Sequence, residues 1–115
     1  MNQKLQTLKD MGCDIDGAMA RTLDDEEFLL ECIHDVLYDA EFESLGTALA
    51  AGDIGAGFEA SHALKGIIAN TGLTVLFDEV VKIVEPLRAK KLDGTKEAYA
   101  QLISKRDQLR TLMAE

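Results

Sequence analysis

The sequence predicts an all-α protein: an antiparallel, up-down-up-down four-helix bundle with short extra helical segments at its N-terminus. Apolar residues recur every three or four positions along most of the chain, which is the period of one face of an α-helix. No segment keeps the alternation of apolar and polar residues that marks a half-buried strand. One proline, no tryptophan and many alanine, leucine, glutamate and lysine residues favour helices over a turn-rich β fold. Amphipathic helices with short connections are typical of a bundle.

The N-terminal part of the chain is predicted to form two short helical segments and one long helix. Gly12 ends the first segment, and Asp14 offers an N-cap to the second. The long helix covers about residues 25–40, and it begins in an acidic run at residues 24–27, where a helix N-terminus favours negative charge. The apolar residues of these elements are Leu5, Leu8, Met11, Ala18, Met19, Leu29, Ile33, Val36, Leu37 and Ala40.

The rest of the chain is predicted to be helical up to its end. A helical piece over residues 43–51 ends at Gly52, and Asp53 caps the next helix, which stops before Gly72. A turn at residues 93–94 separates the last two helices. The apolar residues expected to face the core are Leu45, Ala48, Leu49, Leu76, Val80, Ile83, Val84, Leu87, Tyr99, Leu102, Ile103, Leu109 and Met113.

Pro86 lies inside the apolar pattern of the penultimate helix. A proline in a helix lacks one backbone donor and clashes with the carbonyl four residues earlier. The sequence therefore predicts a kink around residues 82–85, or an early end of that helix.

Size and charge restrict the classes of function that this chain can have. A length of 115 residues fits one domain over residues 1–115 and is too short for an ATP-binding kinase domain or a barrel enzyme. Twelve basic and 21 acidic residues give a net charge of −9, which repels phosphate backbones and anionic lipids. We therefore expect no nucleic-acid partner and no membrane partner. The N-terminus has no uninterrupted apolar signal core, so a cytoplasmic location is expected.

The two cysteines, Cys13 and Cys32, belong to no CxxC pair. Together with two histidines they form no recognisable zinc pattern, so neither a metal nor a cofactor is expected. Small buried thiols in a reducing compartment are the simplest interpretation.

His62 is the residue whose position indicates chemistry. On a helical wheel at about 100° per residue, it points roughly 120–180° away from the apolar side of its helix. A histidine of the core would lie on that apolar side, so this one is expected to face solvent. The residues of the apolar side are Leu64, Ile67, Ile68 and Thr71.

Small residues and one cation are expected to surround His62. Lys65 follows it by three residues, a spacing that places two side chains side by side on a helix. A free imidazole is mostly neutral near pH 7 and has a lone pair that can attack phosphorus, and an ammonium group would stabilise the attached phosphoryl group. These residues predict a phosphoryl carrier, with a plain solvated histidine as the alternative. The neighbours on the wheel are Gly55, Phe58, Lys65, Gly66 and Ala69.

The pattern His62-x-x-Lys65-Gly66, continuing to Ala69-Asn70-x-Gly72, resembles the signature of the histidine phosphotransfer (HPt) domains of bacterial multistep phosphorelays. The likeness covers roughly residues 11–90, and the last helix matches only in its apolar pattern. The resemblance implies a single HPt-like domain with a four-helix bundle fold. The chain could be a free-standing carrier or a piece of a hybrid kinase. We expect the free-standing carrier, because the chain begins with Met1 and has the length of one domain.

The resemblance also implies roles for individual residues. His62 would accept a phosphoryl group on Nε2 from the aspartyl phosphate of a receiver domain and pass it to another receiver aspartate. Lys65 is similar to the family lysine that steadies the phosphoryl group. Gly66 is similar to the glycine that leaves room for the imidazole and for the receiver, and Gly72 matches the glycine that closes the helix.

The hypothesis is therefore a monomeric phosphoprotein of two-component signal transduction with no ATP-dependent kinase activity of its own. Its expected partners are receiver domains of a hybrid histidine kinase or a response regulator, and magnesium is expected only in that receiver. Gly55, Phe58 and Ala69 are predicted to contact the partner, with Phe58 as a solvent-facing apolar anchor. The alternative for Phe58 is a partly buried position under the connection that precedes its helix. The alternative is a helical adaptor that binds a partner through the same face without being phosphorylated.

Two other patterns are assigned no function. Residues 55–60 match GxGxxA, but a dinucleotide site needs a strand before that pattern, and residues 45–51 are predicted to be helical. His34 lies about 100° from the centre of its apolar stripe and is expected to be solvated or half-buried.

Overall fold

A computed structural model describes residues 1–114 of the chain, and every regular element within that range is an α-helix. The all-α prediction is confirmed for this part of the chain. The seven helices are α1 (Gln3–Asp10), α2 (Ile15–Arg21), α3 (Glu26–Leu37), α4 (Glu41–Ala51), α5 (Ile54–Asn70), α6 (Thr74–Arg88) and α7 (Thr95–Ala114).

Two helices, α2 and α5, begin at the capping residues predicted from the sequence. The backbone N–H of Gly17 donates to Asp14 Oδ1 over 3.1 Å at the start of α2. The N–H of Ala56 donates to Asp53 Oδ1 over 3.1 Å at the start of α5. Each bond satisfies one of the N–H groups that the first turn of a helix leaves without a partner. The predicted caps at Asp14 and Asp53 are confirmed.

The long helix predicted over residues 25–40 is shorter in the structure, because α3 ends at Leu37 and α4 begins at Glu41. Ala40 is exposed between the two helices, and Met11 is exposed just after α1, so neither belongs to the core. A residue beyond the end of a helix no longer follows the 3.6-residue period that placed it on the apolar face.

The C-terminal four helices contact one another in a ring. Helix α5 packs against α4 and α6, α6 packs against α7, and α7 also contacts α4. Helix α3 packs against α7 and α2, and α2 contacts α1. Helix α5 therefore lies between two neighbours and has part of its surface open to solvent. The largest fully buried side chains include Phe42, Leu45, Leu64, Ile68, Leu73 and Leu76.

Pro86 lies inside α6, which continues for two residues to Arg88. Of the two alternatives, the early end of the helix is wrong, and the kink around residues 82–85 stays a prediction. Pro86 lies in the last turn of α6, so the hydrogen bond that its missing N–H removes is close to the end of the helix. The buried side chains of Ile83, Val84 and Leu87 hold this turn against the core.

The buried carboxylate of Glu79 joins α6 to α7, a contact that was not predicted from the sequence. Lys105 Nζ of α7 donates to Glu79 Oε1 over 2.7 Å, and Lys82 Nζ lies 3.5 Å from the same oxygen. The hydrogen bond from Lys105 holds the pKa of Glu79 below its ordinary value, although burial acts in the opposite direction.

Among the helices of residues 1–114, none has a stretch that is both long and apolar enough to cross a membrane. Cys13 is buried, and burial raises the pKa of its thiol. Cys32 is only half-buried, in contrast to the prediction, because it lies at the edge of the buried face of α3.

Candidate functional site

His62 lies at the centre of α5, and its side chain is exposed. The residues that α5 turns toward the core include Leu64 and Ile68, both fully buried, while Ile67 is half-buried. His62 thus faces solvent, as the helical wheel predicts. An exposed imidazole nitrogen can reach a group on another molecule, as a buried one cannot.

Both ends of α5 are held by side chains. Asp53 caps the N-terminus, as described above. At the C-terminus, the guanidinium of Arg21 in α2 donates from Nε to the carbonyl of Asn70 over 3.0 Å. A second bond from Arg21 Nη2 reaches the carbonyl of Ala69 over 3.1 Å. The last carbonyls of a helix have no N–H of the same helix to accept from, although the Ala69 carbonyl also accepts from the N–H of Gly72 over 3.2 Å. A cation also suits the negative end of the helix dipole.

Gly72 follows α5 at a point where two segments of backbone approach closely. Its φ is +70°, and the N–H of Asp14 donates to its carbonyl over 2.8 Å. A Cβ at this position would collide with the carbonyl oxygen of Asp14. Both the left-handed backbone and the close approach therefore require glycine. The structure thus gives Gly72 a place in the packing of α5 against the N-terminal segment.

The surface around His62 is bare, because several of its residues are small and exposed. Gly66 lies one turn after His62, and a Cβ there would meet no atom within 4 Å. Gly55 and Ala69 are exposed on the same helix. The packing of residues 1–114 therefore gives no reason for glycine at position 66, and another molecule can approach His62 from this side.

Lys65 is half-buried on α5, three residues after His62. Within residues 1–114 its ammonium group forms no ion pair and no hydrogen bond to a side chain. A cation without a competing carboxylate can interact with an anion that binds nearby. Lys65 is therefore a suitable neighbour for a phosphoryl group on His62.

Of the two positions expected for Phe58, solvent-facing or partly buried, the structure has the partly buried one. The residue is half-buried and packs against the core. Its ring lies 5.4 Å from the ring of His62, centroid to centroid, with an angle of 8° between the planes. The guanidinium carbon of Arg88 lies 5.2 Å from the centroid of the same ring. Much of the surface of the Phe58 side chain is thus already in contact with other residues of the protein.

The spacing of four residues between Phe58 and His62 could have indicated their stacking, because such residues are neighbours on a helix. No sequence spacing indicates the contact with Arg88, which depends on how α6 packs against α5. A groove of about 230 Å³ opens beside the stack. It is lined by Ile54, Gly55, Phe58, Leu87, Arg88 and Lys90.

The second histidine, His34, has different surroundings. It is exposed on α3, and its Nδ1 lies 3.6 Å from Asp35 Oδ1. Its ring stacks on Tyr38 at 4.6 Å, and Arg110 lies 4.3 Å over the Tyr38 ring. A carboxylate beside an imidazole disfavours an attached phosphoryl group, because like charges repel. His62 is thus the better placed of the two histidines to accept a phosphoryl group.

Nowhere in residues 1–114 do three or more His, Cys, Asp or Glu side chains converge as metal ligands would. Comparison of the chain with protein-family models, with curated proteins and with solved structures finds no match. The assignment of a function therefore rests on the motif around His62 and on the geometry of α5.

Proposed function

We propose that this protein is a phosphoryl carrier of the HPt type. His62 accepts a phosphoryl group from the aspartyl phosphate of one receiver domain and passes it to the aspartate of another. The observation that carries the proposal is the exposed imidazole at the centre of α5, on a surface that Gly66 and Ala69 leave bare. The carrier would be a cytoplasmic monomer with no ATP-dependent kinase activity, because its phosphoryl groups come from a partner.

We also infer that α4, α5, α6 and α7 form an antiparallel, up-down-up-down bundle. Each of these helices contacts the next, and α7 contacts α4. Their connections, at residues 52–53, 71–73 and 89–94, are short. Short connections join neighbours that run in opposite directions. Helices α1 to α3 would then be the additional N-terminal elements.

The transfer to His62 is an in-line displacement at phosphorus. A bond forms between Nε2 of the neutral imidazole and phosphorus while the bond from phosphorus to the aspartate oxygen breaks. The aspartate carboxylate leaves with the electron pair of that bond, and the imidazole keeps its proton on Nδ1. Lys65 stabilises the charge of the transferred group. The magnesium ion of the receiver would hold the phosphoryl oxygens on the partner's side.

Phosphoryl transfer is tested by incubating the protein with a receiver domain that carries a labelled aspartyl phosphate. We expect label that is labile in acid and stable in base, as a phosphohistidine is. The variant His62→Gln should acquire no label and keep its helical circular dichroism spectrum. The matched control His34→Gln, which also replaces an exposed histidine, should be labelled as the unmodified protein is.

Two outcomes would contradict the carrier function. Label on His62→Gln would place the phosphoryl group elsewhere. A receiver that binds the protein but transfers no label would support the alternative, an adaptor that uses the same face without being phosphorylated.

A further inference from the structure

The side chain of His62 has a defined neighbour although it is exposed. An exposed histidine ordinarily samples several χ1 rotamers, and rotation about χ2 is broad. In this structure the His62 ring lies nearly parallel to the ring of Phe58, with 8° between the planes and 5.4 Å between the centroids. Parallel aromatic rings at this separation attract each other, so the contact favours one orientation of the imidazole.

Phe58 can orient another ring because its own position is well defined. It is half-buried and packs against the hydrophobic core. The guanidinium of Arg88, from the end of α6, lies 5.2 Å from the centre of the Phe58 ring, within the range of a cation–π interaction. Arg88 Nε in turn lies 3.6 Å from Glu85 Oε2 on its own helix. The ring of Phe58 thus links Arg88 of α6 to the imidazole of His62 on α5.

We propose that Phe58, held by Arg88, is a positioning residue that orients the His62 ring for phosphoryl transfer. This inference rests on the proposed function of His62 as the phosphoryl acceptor. A phosphoryl group held beside the ammonium of Lys65 is attacked in line from one direction only, whichever donor brings it. A ring already in that orientation therefore reacts more often than one that samples several. Phe58 therefore acts through His62 and need not touch the partner.

The orientation of the ring can be measured without any phosphoryl chemistry. Phe58→Leu keeps an apolar side chain against the core but removes the aromatic face. We expect the NMR resonances of the His62 ring protons to lose the ring-current shift that Phe58 causes, and the couplings about χ1 of His62 to become averaged. Phe77→Leu is the matched control, because Phe77 of α6 is another half-buried phenylalanine packed against the core. Unchanged His62 resonances in Phe58→Leu would overturn the proposal.

The effect on reactivity is measured with phosphoramidate, a small donor that has no docking surface. Nε2 of His62 forms a bond to phosphorus while the phosphorus–nitrogen bond of the donor breaks. The donor nitrogen, already protonated as –NH3⁺, takes the electron pair of that bond and departs as ammonia. Phe58→Leu should slow this labelling by about threefold to tenfold, the range that one aromatic contact represents. Arg88→Gln should slow it in the same direction by a smaller factor, and Phe77→Leu should leave the rate unchanged.

The same variants are then compared with a phosphorylated receiver as the donor. A loss of rate that is similar with both donors supports positioning. A loss with the receiver alone would overturn the proposal, because it would make Phe58 a docking residue. Unmodified protein that neither donor labels would contradict the proposed carrier function itself, and the orientation of His62 by Phe58 would then be decided by the NMR measurement alone.

Discussion

Under the proposed function, two neighbours of His62 on α5 assist phosphoryl transfer in different ways. Lys65 acts through its charge, and Gly66 acts through its small size. A glycine inside a helix costs about 1 kcal/mol of stability relative to alanine. At position 66 a Cβ would meet nothing within 4 Å, so packing within residues 1–114 does not offset this cost. Access of a partner to His62 explains the glycine under the proposed function.

Substitutions of Gly66 should separate stability from transfer. Gly66→Ala should raise the free energy of unfolding by up to about 1 kcal/mol, as measured by urea denaturation, because alanine is the better helix former. Gly66→Leu should fold but fail to accept label from a phosphorylated receiver, because its side chain occupies the approach to His62. Labelling of Gly66→Leu by phosphoramidate serves as the control and should persist. Normal transfer from the receiver to this variant would show that the bare surface has no role.

Removal of the ammonium group of Lys65 should slow transfer without preventing it. Lys65→Ala loses a charge-assisted contact worth about 1.5–3 kcal/mol, which corresponds to a rate lower by about tenfold to a hundredfold. The rate of label transfer from a receiver measures this. Lys96→Ala, which removes an exposed lysine of α7, is the control and should transfer normally. Equal rates for Lys65→Ala and the unmodified protein would exclude the role of Lys65.

At the scale of elements, the two ends of α5 show which contacts neighbouring residues in the sequence predict and which they do not. Asp53 and Gly72 were identified from the sequence as the cap and the stop of this helix, because both act on neighbouring backbone groups. Arg21 was not identified as the residue that binds the last carbonyls of α5, since it comes from α2. Pro86 was expected to kink α6 or to end it early, yet the helix continues to Arg88, and burial of the adjacent residues holds its last turn against the core.

Gly72 and Gly94 offer a matched pair for testing the contact at the end of α5. Both have positive φ, +70° and +74°, but only at Gly72 would a Cβ collide with the Asp14 carbonyl. Gly94→Ala should cost about 1 kcal/mol of unfolding free energy from backbone strain alone. Gly72→Ala should cost about 3 kcal/mol, because the backbone of Asp14 must also move. Equal losses in thermal or urea unfolding would contradict this packing role.

At the scale of the whole molecule, the ion pair between the buried Glu79 and the half-buried Lys105 links α6 to α7. The chain has a net charge of −9, yet the buried Glu79 is held by two lysines. A buried carboxylate without a partner would be strongly unfavourable, so the pair with Lys105 requires α6 and α7 to pack in one register. The periodicity of α6 could not reveal this, because Glu79 interrupts the apolar pattern and its partner is 26 residues away.

The stability of the protein should depend on the charge of Glu79. Because the folded state lowers the pKa of Glu79, the contribution is present above the ordinary glutamate pKa of about 4.3 and is lost as the pH falls through the lower folded value. Glu79→Gln should reduce the free energy of unfolding by about 1–3 kcal/mol at pH 7, and the difference should shrink below about pH 4. Urea unfolding between pH 7 and pH 3 measures both. Glu97→Gln, at an exposed position of α7, should show no such loss.

Local spacing in the chain was sufficient to place most of the helices, the caps at Asp14 and Asp53, and the face of α5 that carries His62, Lys65 and Gly66. These features depend on residues within about one or two turns of one another, and the 3.6-residue period relates such residues directly. The contact of Arg88 with Phe58, the pairing of Glu79 with Lys105 and the approach of Asp14 to Gly72 required the packed molecule. Each joins two segments that are far apart in the chain, and helix periodicity carries no information about which helices become neighbours or in which register.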